Sequence, residues 1–343
     1  MKEIVVKKND SGQRLDRFLT KSFGSLPQAL MYKYIRTKRI KLNGKRAEIS
    51  TRLNEGDLLQ LYINDDLLAP AKPKYDFLSA PVRLDIIYED ENILLVNKPE
   101  GLVVHPDKVE YRDTLIMRIQ HYLYDKGEFK PDDEASFKPA LVNRIDRNTG
   151  GIVIAAKTAE ALRVLNEKLK NRELDKYYLC IVHGVPKRKH DILVGQLEKD
   201  GDTNTVAVSN RRTESSRTIR TEYTVIASAG GYSLVKIKLL TGRTHQIRAH
   251  MASIGHPLLG DGKYGVNKAD RKRGFEHQAL WSYRLKFAFD NEAVVNLYFF
   301  PQKWQLTSVI FCSSASFSSS SLPMAFSTRS VRSREQSQRY SAS

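Results

Sequence analysis

Residues 143–151 read Asn-Arg-Ile-Asp-Arg-Asn-Thr-Gly-Gly, and an apolar run, Ile152 to Ala156, follows at once. A single carboxylate, Asp146, stands two residues after Arg144 and directly before Arg147. Nearby guanidinium groups favour the ionised form of a carboxylate, which is the form able to attack carbon or take up a proton. By spacing alone, a surface ion pair at the end of a strand is the simpler account, and such pairs contribute little. A second polar group lies at 241–251, Thr-Gly-Arg-Thr-His-Gln-Ile-Arg-Ala-His-Met. Here a lysine-lined strand ends at Thr241-Gly242, Arg243 follows, and a helix is expected from near Thr244 to a stop at Gly255. Thr244 is suited to cap that helix, whose first turn favours anions. Arg243 could reach from the turn toward a carboxylate or a phosphate. Taken singly, Arg243 and Arg248 are also ordinary surface charges.

The elements that must position these residues are legible from periodicity. Leu84 to Pro99 reads as two strands around an acidic turn, and Thr158 to Lys170 as an amphipathic helix with Leu162, Leu165 and Leu169 inward. Lys176 to Gly184 reads as a strand. Thr221 to Leu240 reads as a hairpin about Gly230-Gly231, with Val235, Ile237 and Leu239 alternating against lysines. Paired hairpins with few helices predict an α+β domain on a mixed, mainly antiparallel sheet, spanning residues 81–305. Residues 64–80, with two prolines and no periodicity, read as a linker. Residues 306–343 are serine-dominated, are expected to be disordered, and read unlike the end of an enzyme domain.

Ahead of the linker, residues 1–63 read as a small αβ module. Leu15, Phe18 and Leu19 share one helical face, and a second helix from Pro27 turns Leu30, Met31 and Tyr34 inward. Asn43-Gly44 marks a tight hairpin. Between Met31 and Ala47 there are seven basic residues and no acidic one: Lys33, Arg36, Lys38, Arg39, Lys41, Lys45 and Arg46. Most charge runs are solvated faces, but two helices delivering this run to a hairpin would form a compact phosphate-binding surface.

Composition narrows the partners. Lys+Arg is 56 against Asp+Glu 39, a formal charge of +17 over 343 residues, which suits a polyanion. Membrane partners are not expected, because no apolar run approaches the ~18 residues of a spanning helix and the N-terminal residues lack a signal-peptide core. Two cysteines, Cys180 and Cys312, cannot make a disulfide framework or a cysteine-based zinc site. His245 and His250 are five apart, not the four that would share a helical face, so no metal is expected. No dinucleotide or nucleotide-triphosphate loop appears, so no cofactor is expected either. A cytoplasmic, reducing setting fits.

Five segments, Ile93–Pro106, Leu141–Lys157, Lys176–Gly184, Leu239–Met251 and Gly255–Gly265, occur in the order and approximate spacing of the RluA-type pseudouridine synthases. The chain resembles that family from about Leu84 to Phe289. Its N-terminal module resembles, over about fifty residues, the small RNA-binding module of the S-four ribosomal-protein type. The family's motif is written His-Arg-Leu-Asp-x-x-Thr-Ser-Gly; Asn143, Ile145 and Gly150 depart from it here, and none of these removes a reacting group.

The resemblance implies an isomerase that turns uridines in RNA into pseudouridine without a cofactor. Asp146 would be the essential carboxylate, by attack at C1′ or removal of a 2′ proton. Arg243 would pair with Asp146, and Tyr178 would stack on the uracil and help to move the C5 proton. Arg144 would fill the gap left by the flipped base, while Gly150 and Gly151 would let the backbone crowd the RNA. Ribosomal RNA, above all that of the large subunit, is the implied target, with transfer RNA an alternative and a monomer the expected state. The competing reading is a non-catalytic RNA-binding or ribosome-assembly factor retaining the fold.

Overall fold

The computed structural model describes residues 1–69, 75–133, 135–199, 205–265, 267–287 and 295–298; the serine-rich tail and Cys312 lie outside them. The N-terminal module comprises β1 (Lys2–Val5), α1 (Leu15–Ser22), α2 (Gln28–Arg36), β2 (Ile40–Leu42), β3 (Lys45–Arg46) and β4 (Leu58–Leu61). Its strands form an antiparallel sheet in the order β1-β4-β2-β3. Leu15, Phe18 and Leu19 are fully buried, as their spacing predicts. On α2 the buried stripe is Met31 and Ile35, one helical turn apart, and Leu30 and Tyr34 only flank it. Asn43 and Gly44 take φ of 51° and 73°, the two positive values that a two-residue hairpin turn requires.

The segment expected as a linker is packed at both ends. Leu68 joins the core of the small module, and Phe77 and Ala80 join the core of the larger domain. The two parts also meet directly. The fully buried carboxylate of Asp10 accepts hydrogen bonds from Ser136 N at 2.9 Å, Ser136 Oγ at 2.6 Å and Ala135 N at 3.2 Å. Beside it, Arg163 Nη1 donates to Ser11 O at 2.6 Å.

The larger domain begins with β5 (Ile86–Glu89), β6 (Ile93–Lys98), α3 (Leu115–Asp125), β7 (Ala140–Leu141), β8 (Gly150–Ala156) and α4 (Ala159–Asn171). It continues with β9 (Asp175–His183), β10 (His190–Lys199), β11 (Val206–Ser209), β12 (Arg217–Ala229) and β13 (Tyr232–Leu239). Last come α5 (Gln246–Ser253), α6 (Lys268–Lys272), β14 (Leu280–Phe287) and β15 (Val295–Tyr298). One sheet runs β11-β10-β12-β13-β9-β14-β8-β6-β5, with β7 paired to β8 and β15 to β14. Among the described strands only the β8–β14 pairing is parallel, so the mixed, mainly antiparallel α+β expectation holds.

Period-two alternation sorts the sheet's side chains. Leu94, Val96, Val153, Ala155, Tyr178, Cys180 and Val182 face α3 and α5, against Leu115, Ile119, Ile247 and Met251. Ile93, Leu95, Ile152 and Ile154 face the other way, toward Leu165 of α4. Thr158 caps α4 by accepting from Ala161 N at 3.1 Å.

Strand β14 enters between β8 and β9, and this explains the two glycines after Thr149. A Cβ on Gly150 would lie 2.0 Å from the Trp281 ring, and one on Gly151, at φ +110°, would lie 2.2 Å from the Ser282 carbonyl oxygen. The expectation that these glycines let the backbone crowd RNA is therefore corrected. Both are buried, and they admit β14 to the sheet.

Candidate active site

Asp146 sits in the loop from β7 to β8, where Thr149 N donates to Asp146 O at 3.0 Å and closes a turn. The loop is clamped at both ends. Upstream, the Asn143 side chain accepts from Ile154 N at 2.8 Å and donates to Ile152 O at 3.4 Å, so an amide works here where the family motif has histidine. Beneath it, the fully buried Lys98 donates to the carbonyls of Pro99, Leu102 and Arg147 at 2.7–2.8 Å. Three N–H bonds are those of an ammonium, although burial pushes the Lys98 pKa down to about 7.

The flanking arginines diverge. Arg147 turns to Asp107 at 3.0 Å, and Arg144 is exposed on the rim of the cleft. The guanidinium that reaches Asp146 belongs to Arg248, whose Nη1 lies 3.3 Å from Oδ2. The assignment of that contact to Arg243 is corrected. His245 adopts a left-handed backbone, φ 54°, and starts α5 at Gln246, so Arg243 is left on an exposed turn while Arg248 enters the first turns of the helix, 5% exposed. Thr244 is exposed and does not cap. Instead, Gln246 Oε1 accepts from Arg243 N at 3.1 Å and Thr241 Oγ1 at 2.9 Å, while its amide donates to Arg220 O at 3.0 Å.

Arg248 is oriented from behind by a residue outside the sequence-based candidates. Its Nε and Nη2 each meet a different oxygen of Asp261 at 2.8 Å, and its guanidinium lies 5.1 Å from the Tyr264 ring. Burial opposes the charge of Asp261, but Arg248 and the amides of Lys263 and Tyr264 outweigh it and hold the carboxyl below the usual range. Burial likewise opposes the Arg248 charge, and the two carboxylates outweigh it. The signal for Asp261 was its place in the Gly-Asp-Gly-Lys-Tyr segment, but spacing alone does not reveal a pair 13 residues apart.

Tyr178 on β9 lines the cleft with Asp146, and Tyr177 faces the opposite side of the sheet beneath Arg284, 4.7 Å from its ring. Burial first, then the charge of Asp146, push the Tyr178 pKa well up, so its phenol is neutral near pH 7. His245 brings Nε2 to 3.8 Å from Asp146 Oδ2. The cleft has a volume of about 1090 Å³, and Arg144, His105, Lys176 and Arg243 stand around it. The seven cations of the small module lie elsewhere. All but Lys41 are exposed, and among the described residues none of the seven forms an ion pair.

Residues 92–253 match the model of the RNA pseudouridylate synthase family, a span that includes Asp146, Tyr178 and Arg248. An uncharacterized RNA pseudouridine synthase of Mycoplasma genitalium is 34% identical over 83% of this chain and 88% of its own length. The chain belongs to the RluA-type RNA pseudouridine synthases. Another member of this family of isomerases, the ribosomal large subunit pseudouridine synthase D of Yersinia pestis, is 30% identical over 82% of this chain and 85% of its own. The solved human RNA pseudouridylate synthase domain containing 4 shares the fold, with a TM-score of 0.54 over 66% of this chain and 93% of its own at 20% identity. Among the described residues no helix is long and apolar enough to cross a membrane, and no cluster of His, Cys, Asp or Glu could hold a metal ion.

Proposed function

We propose that the protein isomerises specific uridines of large-subunit ribosomal RNA to pseudouridine, with Asp146 as the group that acts on the ribose. The observation that carries this reading is the Asp146 carboxylate, part-exposed in a cleft and paired through Oδ2 with a buried Arg248 that Asp261 orients. A fixed guanidinium holds a carboxylate in one orientation. The reaction breaks the C1′–N1 bond, turns the base and joins C1′ to C5; C5 gives up its proton to a base or solvent and N1 takes one up, so the product is an isomer of the substrate. Asp146 opens it by attack at C1′ or by removal of a 2′ proton. Neutral Tyr178, in the same cleft as Asp146, offers the uracil an aromatic ring rather than a resting phenolate base.

Reaching C1′ requires the uridine to leave its stack, at a cost of a few kcal/mol. Arg144, exposed on the same loop as Asp146, fills the vacated gap in this reading. Arg243, freed from the carboxylate, is a phosphate contact on the rim. The small module, with its exposed cations and two-helix-plus-hairpin form, serves as an S-four type RNA anchor. Pseudouridine mapping of total RNA with and without the gene tests the proposal. Loss of one or a few large-subunit sites is expected, and an unchanged map would overturn it.

A further inference from the structure

We infer that His245, steered by the Tyr264 hydroxyl, holds Oδ2 of Asp146 together with Arg248, and so leaves Oδ1 as the oxygen that reacts. This deepens the function proposed above and rests on the assignment of Asp146. Tyr264 Oη accepts a hydrogen bond from Val206 N at 2.9 Å and stands 2.9 Å from His245 Nδ1. With its acceptor side used by the amide, the phenol has one proton to give, and Nδ1 is the neighbour that can take it. The imidazole proton then sits on Nε2, which faces Asp146 Oδ2 at 3.8 Å. The opposite tautomer would point a nitrogen lone pair at a carboxylate. A doubly protonated ring is disfavoured by burial first and by Arg248 beside it, against the pull of Asp146.

At 3.8 Å the contact is longer than a hydrogen bond, and such catalytic contacts commonly tighten only when substrate is bound. The backbone supports a purpose for the placement. His245 is held at φ 54°, ψ 15°, a left-handed geometry uncommon for a residue other than glycine, with Gln246 tying the adjoining turn to β12. Rotation about the Cβ–Cγ bond of an aspartate is soft, and one partner on Oδ2 leaves the plane of the carboxylate free to swing. A second donor on the same oxygen fixes that plane. Among the described residues Oδ1 takes no hydrogen bond, so it keeps its lone pairs for C1′ or the 2′ proton.

His245 is thus a positioning residue, and its test separates positioning from folding and from RNA contact. Full-length variants are compared on one RNA carrying the target uridine, reading kcat, KM, RNA affinity and melting temperature. His245→Ala should lower kcat about 100-fold, the scale of a misplaced reacting group, with KM and RNA affinity little changed. His245→Asn tolerates the left-handed backbone but is too short to reach Asp146, and should lose as much. His245→Gln, whose amide N–H takes the place of Nε2–H, should recover about a tenfold part of that loss. Tyr264→Phe should lower kcat, and adding it to His245→Ala should cost nothing further. An unchanged kcat in both His245→Ala and His245→Asn, or a loss confined to KM, would overturn the inference. A wild-type chain that converts no uridine would instead remove the assignment of Asp146, a result seen in the control before any variant is read.

Discussion

Arg248 divides its guanidinium between two carboxylates, giving Asp261 two nitrogens at 2.8 Å and Asp146 the third at 3.3 Å. The division makes the arginine a rigid bridge from the buried Asp261 to the cleft. Lysine at 248 would keep the charge and lose the fork. Charge-assisted hydrogen bonds are worth about 1.5–3 kcal/mol, so Arg248→Lys should lower kcat/KM about 10- to 100-fold on every RNA. Arg243→Ala should act mainly through KM, and its loss should shrink as salt rises. If instead the kcat loss followed Arg243 and spared Arg248, the bridge would not be what aims Asp146.

The glycine that stands where the family motif has serine gives a less intuitive expectation. Gly150→Ser restores the motif residue, yet its Cβ would fall 2.0 Å from the Trp281 ring. Overpacking of this kind costs about 1–3 kcal/mol, so the melting temperature should drop. Trp281→Leu, itself destabilising, should largely remove the effect of the serine. Additive losses in the double variant would show that the two residues do not compete for space.

Why these features escaped the sequence is a matter of what spacing can encode. The β9 strand, the α4 helix and the β12–β13 hairpin were legible because each rests on its own periodicity, and the face of Tyr178 followed from alternation. The partner of Asp146 was misplaced because it depends on where α5 begins, and a left-handed His245 moves that start past Thr244. The role of Gly150 and Gly151 was hidden because β14, some 130 residues later, pairs beside them in parallel. Asp261 was invisible as a partner for a similar reason: only folding brings it behind Arg248.

Arg144 separates base extrusion from chemistry. If it occupies the vacated stack, Arg144→Ala should harm a uridine held in a structured loop more than one in a linear strand of the same sequence. Extrusion costs a few kcal/mol when the base is stacked and less when it is loose, so a tenfold or larger difference in kcat/KM is expected. Equal losses on the two RNAs would reduce Arg144 to a phosphate contact.

The exposed cations of the small module should show in the salt dependence of binding. Lys45 and Arg46 lie at the hairpin, both exposed. Each phosphate contact contributes about 0.7–0.9 to the slope of log affinity against log salt, so replacing both by Gln should flatten the slope by up to roughly 1.8. An identical slope would mean that the hairpin does not touch RNA.

The central claim, that Asp146 performs the reaction, is tested most directly by Asp146→Asn assayed for pseudouridine on a target RNA alongside its RNA affinity. An amide keeps the shape but can neither attack C1′ nor take up a proton. Pseudouridine formation should disappear while the affinity for RNA stays nearly intact. Turnover within tenfold of wild type would contradict the account.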